Sequence, residues 1–226
     1  MIVFDLVGDN EGNPIYQALQ VQNQSRQYEF IESIVQAALG TNQQYLSTVV
    51  IKSLNHHAIA CLHAGAGEYR SCKVEVWSNG GEKPDYVPPA AHRVPALMDH
   101  MINWVNRQWG AMDPVVLATF VLWRLNWIHP FVNGNGRTAR AAAYYVLCIS
   151  SGGWLPGDVI LPELLRLNRE EYVAALRHTD KTFNNTGNPD MGPLHSLISR
   201  LLGEQVGPFS GNGGGVPKGG DAPEDE

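Results

Sequence analysis

The 226 residues suit one ordinary domain with short extensions. Hydrophobic residues at 44% and charged residues at 17% match a packed core rather than a disordered chain. Sixteen Lys plus Arg against 22 Asp plus Glu leave a formal charge of −6, which argues against general nucleic-acid binding but leaves room for a local basic pocket. Cys61, Cys72 and Cys148 are odd in number, lie far apart and contain no CxxC pair. The default is therefore reduced thiols rather than a disulfide framework or a zinc site. The opening MIVFDLVGDNEGN lacks a basic n-region. No apolar run reaches the ~20 residues of a membrane helix, so a soluble, cytoplasmic protein is expected.

In chain order, Tyr28, Ile31, Ile34, Val35, Ala38 and Leu39 recur at helical spacing, with Gly40 as a stop. Ser47 is placed to cap a second helix running through Val50, Leu54, His57, Ala58, Cys61 and Leu62. Lys73 to Trp77 alternates polar and apolar residues, Ser78-Asn79-Gly80-Gly81 has turn chemistry, and Tyr86-Val87 leads into Pro88-Pro89. This predicts one short β-hairpin. Val94, Leu97, Met98, Met101, Ile102 and Val105 mark an amphipathic helix. Asp113-Pro114 reads as a cap followed by proline at the first helical position. The helix behind it is apolar nearly all round, hence buried, with Trp104, Trp109, Trp123 and Trp127 expected in the core. An alanine-rich helix follows from Thr138 to Ile149, and weaker helices near Glu163–Leu167, Arg169–His178 and Leu194–Leu202, the last with Gly203 as its stop. His56, His57 and His63 cluster on the second helix with no carboxylate or cysteine at ligand spacing on that face, so packing is the default for them.

Between the two buried helices lies IHPFVNGNGRTAR, residues 128–140. Gly134, Asn135 and Gly136 directly precede the second helix, where unobstructed backbone N–H groups and the positive dipole end make an anion cradle. Arg137 and Arg140 fall on one side of the first turn and match phosphate oxygens in shape. Two arginines at a helix start oppose its dipole unless an anion is bound. His129 is the nearby group able to accept a proton near neutral pH.

His129-Pro130-Phe131-Val132-Asn133-Gly134-Asn135-Gly136-Arg137-Thr138-Ala139-Arg140 resembles the Fic-family signature, H-P-F-x-(D/E)-G-N-G-R-x-x-R, at every fixed position except Asn133. The resemblance extends over roughly residues 28–202. Gly67-Glu68-Tyr69-Arg70 with the hairpin and Pro88-Pro89 is similar to the family's substrate-aligning flap, and Asn168 to Tyr172 to its downstream helix. It implies an all-α, mainly helical Fic fold with one short β-hairpin flap. It divides the chain into an N-terminal arm (1–27), a catalytic domain (28–205) and a disordered, glycine-rich acidic tail (206–226).

The resemblance further implies transfer of AMP from ATP to a Ser, Thr or Tyr hydroxyl of a target protein, with His129 as general base. Gly134, Asn135, Gly136, Arg137 and Arg140 would hold the phosphates, Phe131 would anchor the loop, and Tyr172 would line the adenine pocket or simply pack. The target would dock by strand addition to the hairpin at 73–87; nucleic acid and membrane are not expected partners. Other nucleotidyl or phospho transfers by the same fold, and a plain nucleotide-binding module, stay open.

Where the family carries the acid that ligates Mg²⁺, this chain has Asn133, whose neutral carbonyl is a poorer ligand. Phosphates and waters would then hold the ion with Asn133 as a weak ligand, or the enzyme is slow or uses another donor, or it binds nucleotide without transfer. Many relatives also carry an inhibitory helix, (S/T)-x-x-x-E-(G/N), whose Glu pairs with the position of Arg140. Glu11-Gly12-Asn13 has the right end but Val7 in place of the hydroxyl and Gly8-Asp9-Asn10 as poor helix material. Ser25 to Glu29 is followed by Phe30, and Ser199 and Glu204 are one residue too far apart. A separate inhibitory chain, or no brake, remains open.

Overall fold

The computed structural model describes residues 2–77 and 82–207. Among these residues there are nine α-helices: α1 Val3–Leu6, α2 Pro14–Gly40, α3 Thr48–Ile59, α4 Val94–Gln108, α5 Pro114–Ile128, α6 Asn135–Ser150, α7 Leu161–Leu167, α8 Arg169–Thr186 and α9 Gly192–Val206. None is long and apolar enough to cross a membrane.

The helix starts follow capping chemistry. Ser47 Oγ accepts from the Val50 amide at 3.1 Å, and Asp113 Oδ1 accepts from Val115 and Val116. Two boundaries differ from the sequence reading. Asn13 caps α2 through the Ile15 amide, with Pro14 at the first position, so the helix begins 14 residues before Tyr28 and the 27/28 division falls inside it. Gly203 does not stop α9, which runs on to Val206. The tail expected to be disordered falls, from residue 208 onward, outside the described residues.

α5 and α6 pack along each other at the centre, with α2, α3, α7 and α9 around them. Trp123, Tyr144 and Phe131 are fully buried there. Ala139, Ala141, Ala142 and Ala143 keep α6 thin, which lets its neighbours approach closely. The tryptophans are packing residues as expected: Trp104 lies 4.0 Å from Phe120 between ring centroids, and Trp123 and Trp127 flank Phe183. A second, smaller core of Tyr16, Ala58, Ile59 and Leu62, with Phe4 and Val7 against it, docks the N-terminal segment onto the end of α3.

The expected hairpin is reduced to one antiparallel bridge, Val76 with Tyr86, made by Val76 N–H to Tyr86 C=O at 3.0 Å and Tyr86 N–H to Val76 C=O at 3.3 Å. No strand occurs among the described residues, and the turn at 78–81 lies outside them. A single bridge gives too few ladder bonds to stand alone, and neighbouring helices hold it. The Tyr86 hydroxyl donates to the Trp127 carbonyl, and Arg177 pairs with Asp85 at 3.1 Å.

Candidate active site

α5 ends at Ile128, and His129 turns the chain in the left-handed region at φ 52°, ψ 60°, its amide bonded to Leu125 C=O at 2.9 Å. This conformation is costly for a residue with a Cβ and persists only where surroundings impose it. Arg70 imposes it here. Its guanidinium, almost fully buried, donates to the carbonyls of His129 (2.7 Å), Cys72 (3.1 Å) and Pro89, and its backbone amide donates to Pro130 C=O at 2.9 Å. Burial, with the nearby Arg70 charge, pulls the His129 imidazole down to about 4, against a weaker opposing bond from its Nδ1 to the Asn126 carbonyl at 3.3 Å. At neutral pH it is therefore uncharged and able to accept a proton.

Beyond His129 the loop is braced from inside. The Asn135 side chain bonds the Phe131 amide and carbonyl, both at 2.9 Å, so its amide group is spent on the loop and only its backbone faces a ligand. Gly134 precedes α6 at φ 74°, and a Cβ there would lie 2.6 Å from Ile59 Cγ2. Only glycine fits both the conformation and the space. Asn55, fully buried on α3, ties this loop to the flap: its Nδ2 donates to Asn133 C=O (2.9 Å) and Thr138 Oγ1 (3.2 Å), and its Oδ1 accepts from the Gly67 amide at 2.9 Å.

No side chain caps α6, so the amides of its first turn have no intrahelical acceptor. They open onto a cleft of about 850 Å³, a volume typical of small-ligand sites. His129, Asn133 to Arg137 and Arg140 line one wall; Gln20 and Gln24 of α2, Val76 and Trp77, and Glu163, Arg166 and Arg169 line the others. Arg137 is held from both sides, Nη1 donating to Ala58 C=O at 2.7 Å and Nη2 to Asn133 Oδ1 at 3.0 Å. Arg166 is fixed by Glu163 at 2.9 Å through its Nε, and Glu163 also accepts from Gln24 at 2.8 Å.

The cleft thus gathers His129, Gly134, Asn135, Gly136, Arg137, Arg140 and Asn133. It excludes Tyr172, which is buried, takes a bond from Asn126 Nδ2 at 2.9 Å and does not line the cleft. Tyr172 packs in the central core. Asn55, Arg70, Arg166 and Glu11 were not read as site residues. Glu11 Oε1 accepts from Asn133 Nδ2 at 2.8 Å and lies 3.5 Å from His63 Nε2. Those two partners hold its carboxyl below the usual range against its partial burial. His63 accordingly lies beyond the end of α3 and does meet a carboxylate, from across the chain. Among the described residues no three His, Cys, Asp or Glu side chains converge as a metal cage.

The cleft thus sets a neutral histidine on a left-handed helix cap beside an open helix N-terminus that carries two arginines. The model of the Fic/DOC family matches residues 45–147 of this chain. The chain is 33% identical over 116 residues to the protein adenylyltransferase Fic of Nematostella vectensis, covering 51% of this chain and 25% of that protein. It is 37% identical over 112 residues to protein adenylyltransferase fic-1 of Caenorhabditis briggsae, covering 49% and 19% respectively. The matched region therefore spans about a quarter or less of these relatives' length. Among solved structures, a Fic-domain signalling protein from Bacteroides thetaiotaomicron superposes with TM-score 0.63 at 24% identity, covering 81% of this chain and 68% of that one. A C. elegans Fic-1 fragment gives 0.61 at 24%, covering 85% and 51%. These two likenesses establish the shared fold.

Proposed function

We propose that this chain transfers AMP from ATP to a hydroxyl side chain of a target protein. The observation that carries the reading is the meeting, in one cleft, of the neutral His129 and the uncapped N-terminus of α6 with Arg137 and Arg140. The relatives' names as protein adenylyltransferases support the group transferred. His129 takes the proton of the target hydroxyl as that oxygen bonds the α-phosphorus, and the bond from the α-phosphorus to the bridging oxygen breaks, releasing pyrophosphate. The first-turn amides of α6 and the two arginines hold the phosphates and offset the charge that builds during transfer. Arg166 and Arg169 extend the positive wall of the cleft. The target segment lies along the 73–77 edge, where Trp77 is exposed, and adds its backbone there.

A magnesium ion, when bound, would neutralise phosphate charge and be held by hard oxygens. Residue 133 alone is a poor fit, because it is an amide whose Oδ1 already accepts from Arg137. That contact favours a second reading, a module that binds nucleotide without turning it over. Intact-mass spectrometry of lysate proteins after incubation with the chain and ATP separates the two. A mass increase of one adenylyl group supports transfer, a phosphate or other nucleotidyl increment reassigns the group, and tight ATP binding with no adduct supports the silent module.

A further inference from the structure

We infer that Arg70 is a positioning residue that joins the His129 turn and the 73–88 segment into one rigid unit, so that the proton acceptor stands at a fixed place relative to the edge a target would pair with. Its consequence for rate deepens the transfer reading and rests on it. The observation is that the carbonyls of consecutive residues, Trp127 to Pro130, all take their donors from Arg70 or Tyr86.

The last carbonyls of a helix lack intrahelical donors. At the end of α5 they are served from across the chain. The Tyr86 hydroxyl donates to Trp127 C=O, and Arg70 Nη2 approaches Ile128 C=O at 3.5 Å. Arg70 Nε donates to His129 C=O at 2.7 Å, and the Arg70 amide to Pro130 C=O at 2.9 Å. A guanidinium here also meets the negative end of the α5 dipole. The same group reaches the carbonyls of Cys72, at 3.1 Å, and of Pro89. Those two residues are the feet of the segment in which Val76 and Tyr86 pair, and the Tyr86 ring lies 6.4 Å from the His129 imidazole. One side chain thus closes the root of that segment and holds the backbone of His129.

The arrangement calls for arginine. A planar fork aims several N–H groups in fixed directions at once, whereas an ammonium gathers its donors on one atom. The Arg70 side chain is almost fully buried and backbone carbonyls satisfy it. Withdrawing the segment would strip those carbonyls of donors in a buried setting, which water does not repair. It would also release His129 from a left-handed conformation that only its surroundings impose. The segment and the turn therefore move together or not at all. Arg70 itself does not line the cleft, so its part in transfer is exerted through His129.

The test compares wild type, Arg70→Lys and Tyr86→Phe as full chains. Lysine keeps the charge and loses the fork; phenylalanine keeps the ring and loses the donor to Trp127. Amide-resolved hydrogen exchange follows Val76, Asp85 and Tyr86 in the segment, and His129 and Phe131 in the turn. Transfer of α-label from ATP to lysate proteins and calorimetric ATP affinity are measured on the same samples. In Arg70→Lys, exchange is expected to quicken by about tenfold or more in both groups of amides. Transfer falls by about tenfold to a hundredfold with ATP affinity kept, because a small misplacement of the base acts on the chemical step. Tyr86→Phe shows the same pattern to a smaller extent, and it carries the test if the melting temperature shows that Arg70→Lys does not fold. Faster exchange in only one of the two groups overturns the inference, and so does transfer by Arg70→Lys at the wild-type rate. A wild type that labels nothing removes the transfer reading, while the exchange comparison still decides whether the turn and the segment are one unit.

Discussion

Gly134 makes the loop conformation and its packing testable in one substitution. At φ 74° an alanine enters the left-handed region, a cost of about 1–2 kcal/mol. Its Cβ would also meet Ile59 Cγ2 at 2.6 Å and Asn55 Nδ2 at 3.2 Å, in a buried corner with no room to yield, adding about 1–3 kcal/mol of overpacking. Together Gly134→Ala should cost about 2–5 kcal/mol, which for a domain of this size lowers the melting temperature by roughly 4–20 °C. Gly136 is the internal control. It has no positive φ, and a Cβ there meets only the flexible end of Arg140 at 3.3 Å. Gly136→Ala should leave the melting temperature near wild type while weakening nucleotide binding by displacing Arg140. Differential scanning fluorimetry reads the first effect and calorimetric titration with ATP the second. A Gly134→Ala protein melting within a degree of wild type would refute the account of why glycine stands there.

Asn55→Ala removes the partner of the Gly67 amide and of the Asn133 carbonyl in a buried setting, so denaturant unfolding should show a loss of about 2–4 kcal/mol. Tyr172→Phe deletes one hydrogen bond from Asn126. It should cost about 1 kcal/mol of stability with unchanged ATP affinity by calorimetry, since the ring lies outside the cleft. The pH dependence follows from His129. A histidine at the ordinary 6.5 would be mostly protonated at about pH 5.5, whereas one held down to about 4 stays mostly neutral there. Transfer rates from pH 8 down to 5.5 should therefore remain nearly flat on account of this residue, falling only towards pH 4. A half-maximal point near 6.5 would show that burial does not govern its titration.

Local rules carried much of this structure into view from sequence. Ser47 and Asp113 are caps whose chemistry acts within three residues, and the apolar ring of α5 leaves it nowhere to sit but the centre. The polar loop was legible because its glycines, arginines and histidine are contiguous. What escaped was long-range. Asn55 looks like any helical asparagine until the fold brings Asn133 and Gly67 to it, and Arg70 gains its role from carbonyls nearly 60 residues away. Glu11 was noticed only as an incomplete motif, because its contact with Asn133 depends on a small core that no periodic pattern announces. Tyr172, singled out by its place in a familiar helix, is buried and bonded to Asn126 across the fold. Alternation pointed to a hairpin, of which the described residues show the antiparallel Val76–Tyr86 bridge.

The central claim is that His129 drives transfer of the α-phosphoryl group and its nucleoside. It is tested most directly by incubating wild type and His129→Ala with lysate proteins and ATP labelled at either the α- or the γ-phosphate. Protein-bound label from α-labelled ATP alone, abolished in His129→Ala, is the predicted result. Incorporation from γ-labelled ATP, or α-label transfer at full rate by His129→Ala, would contradict it.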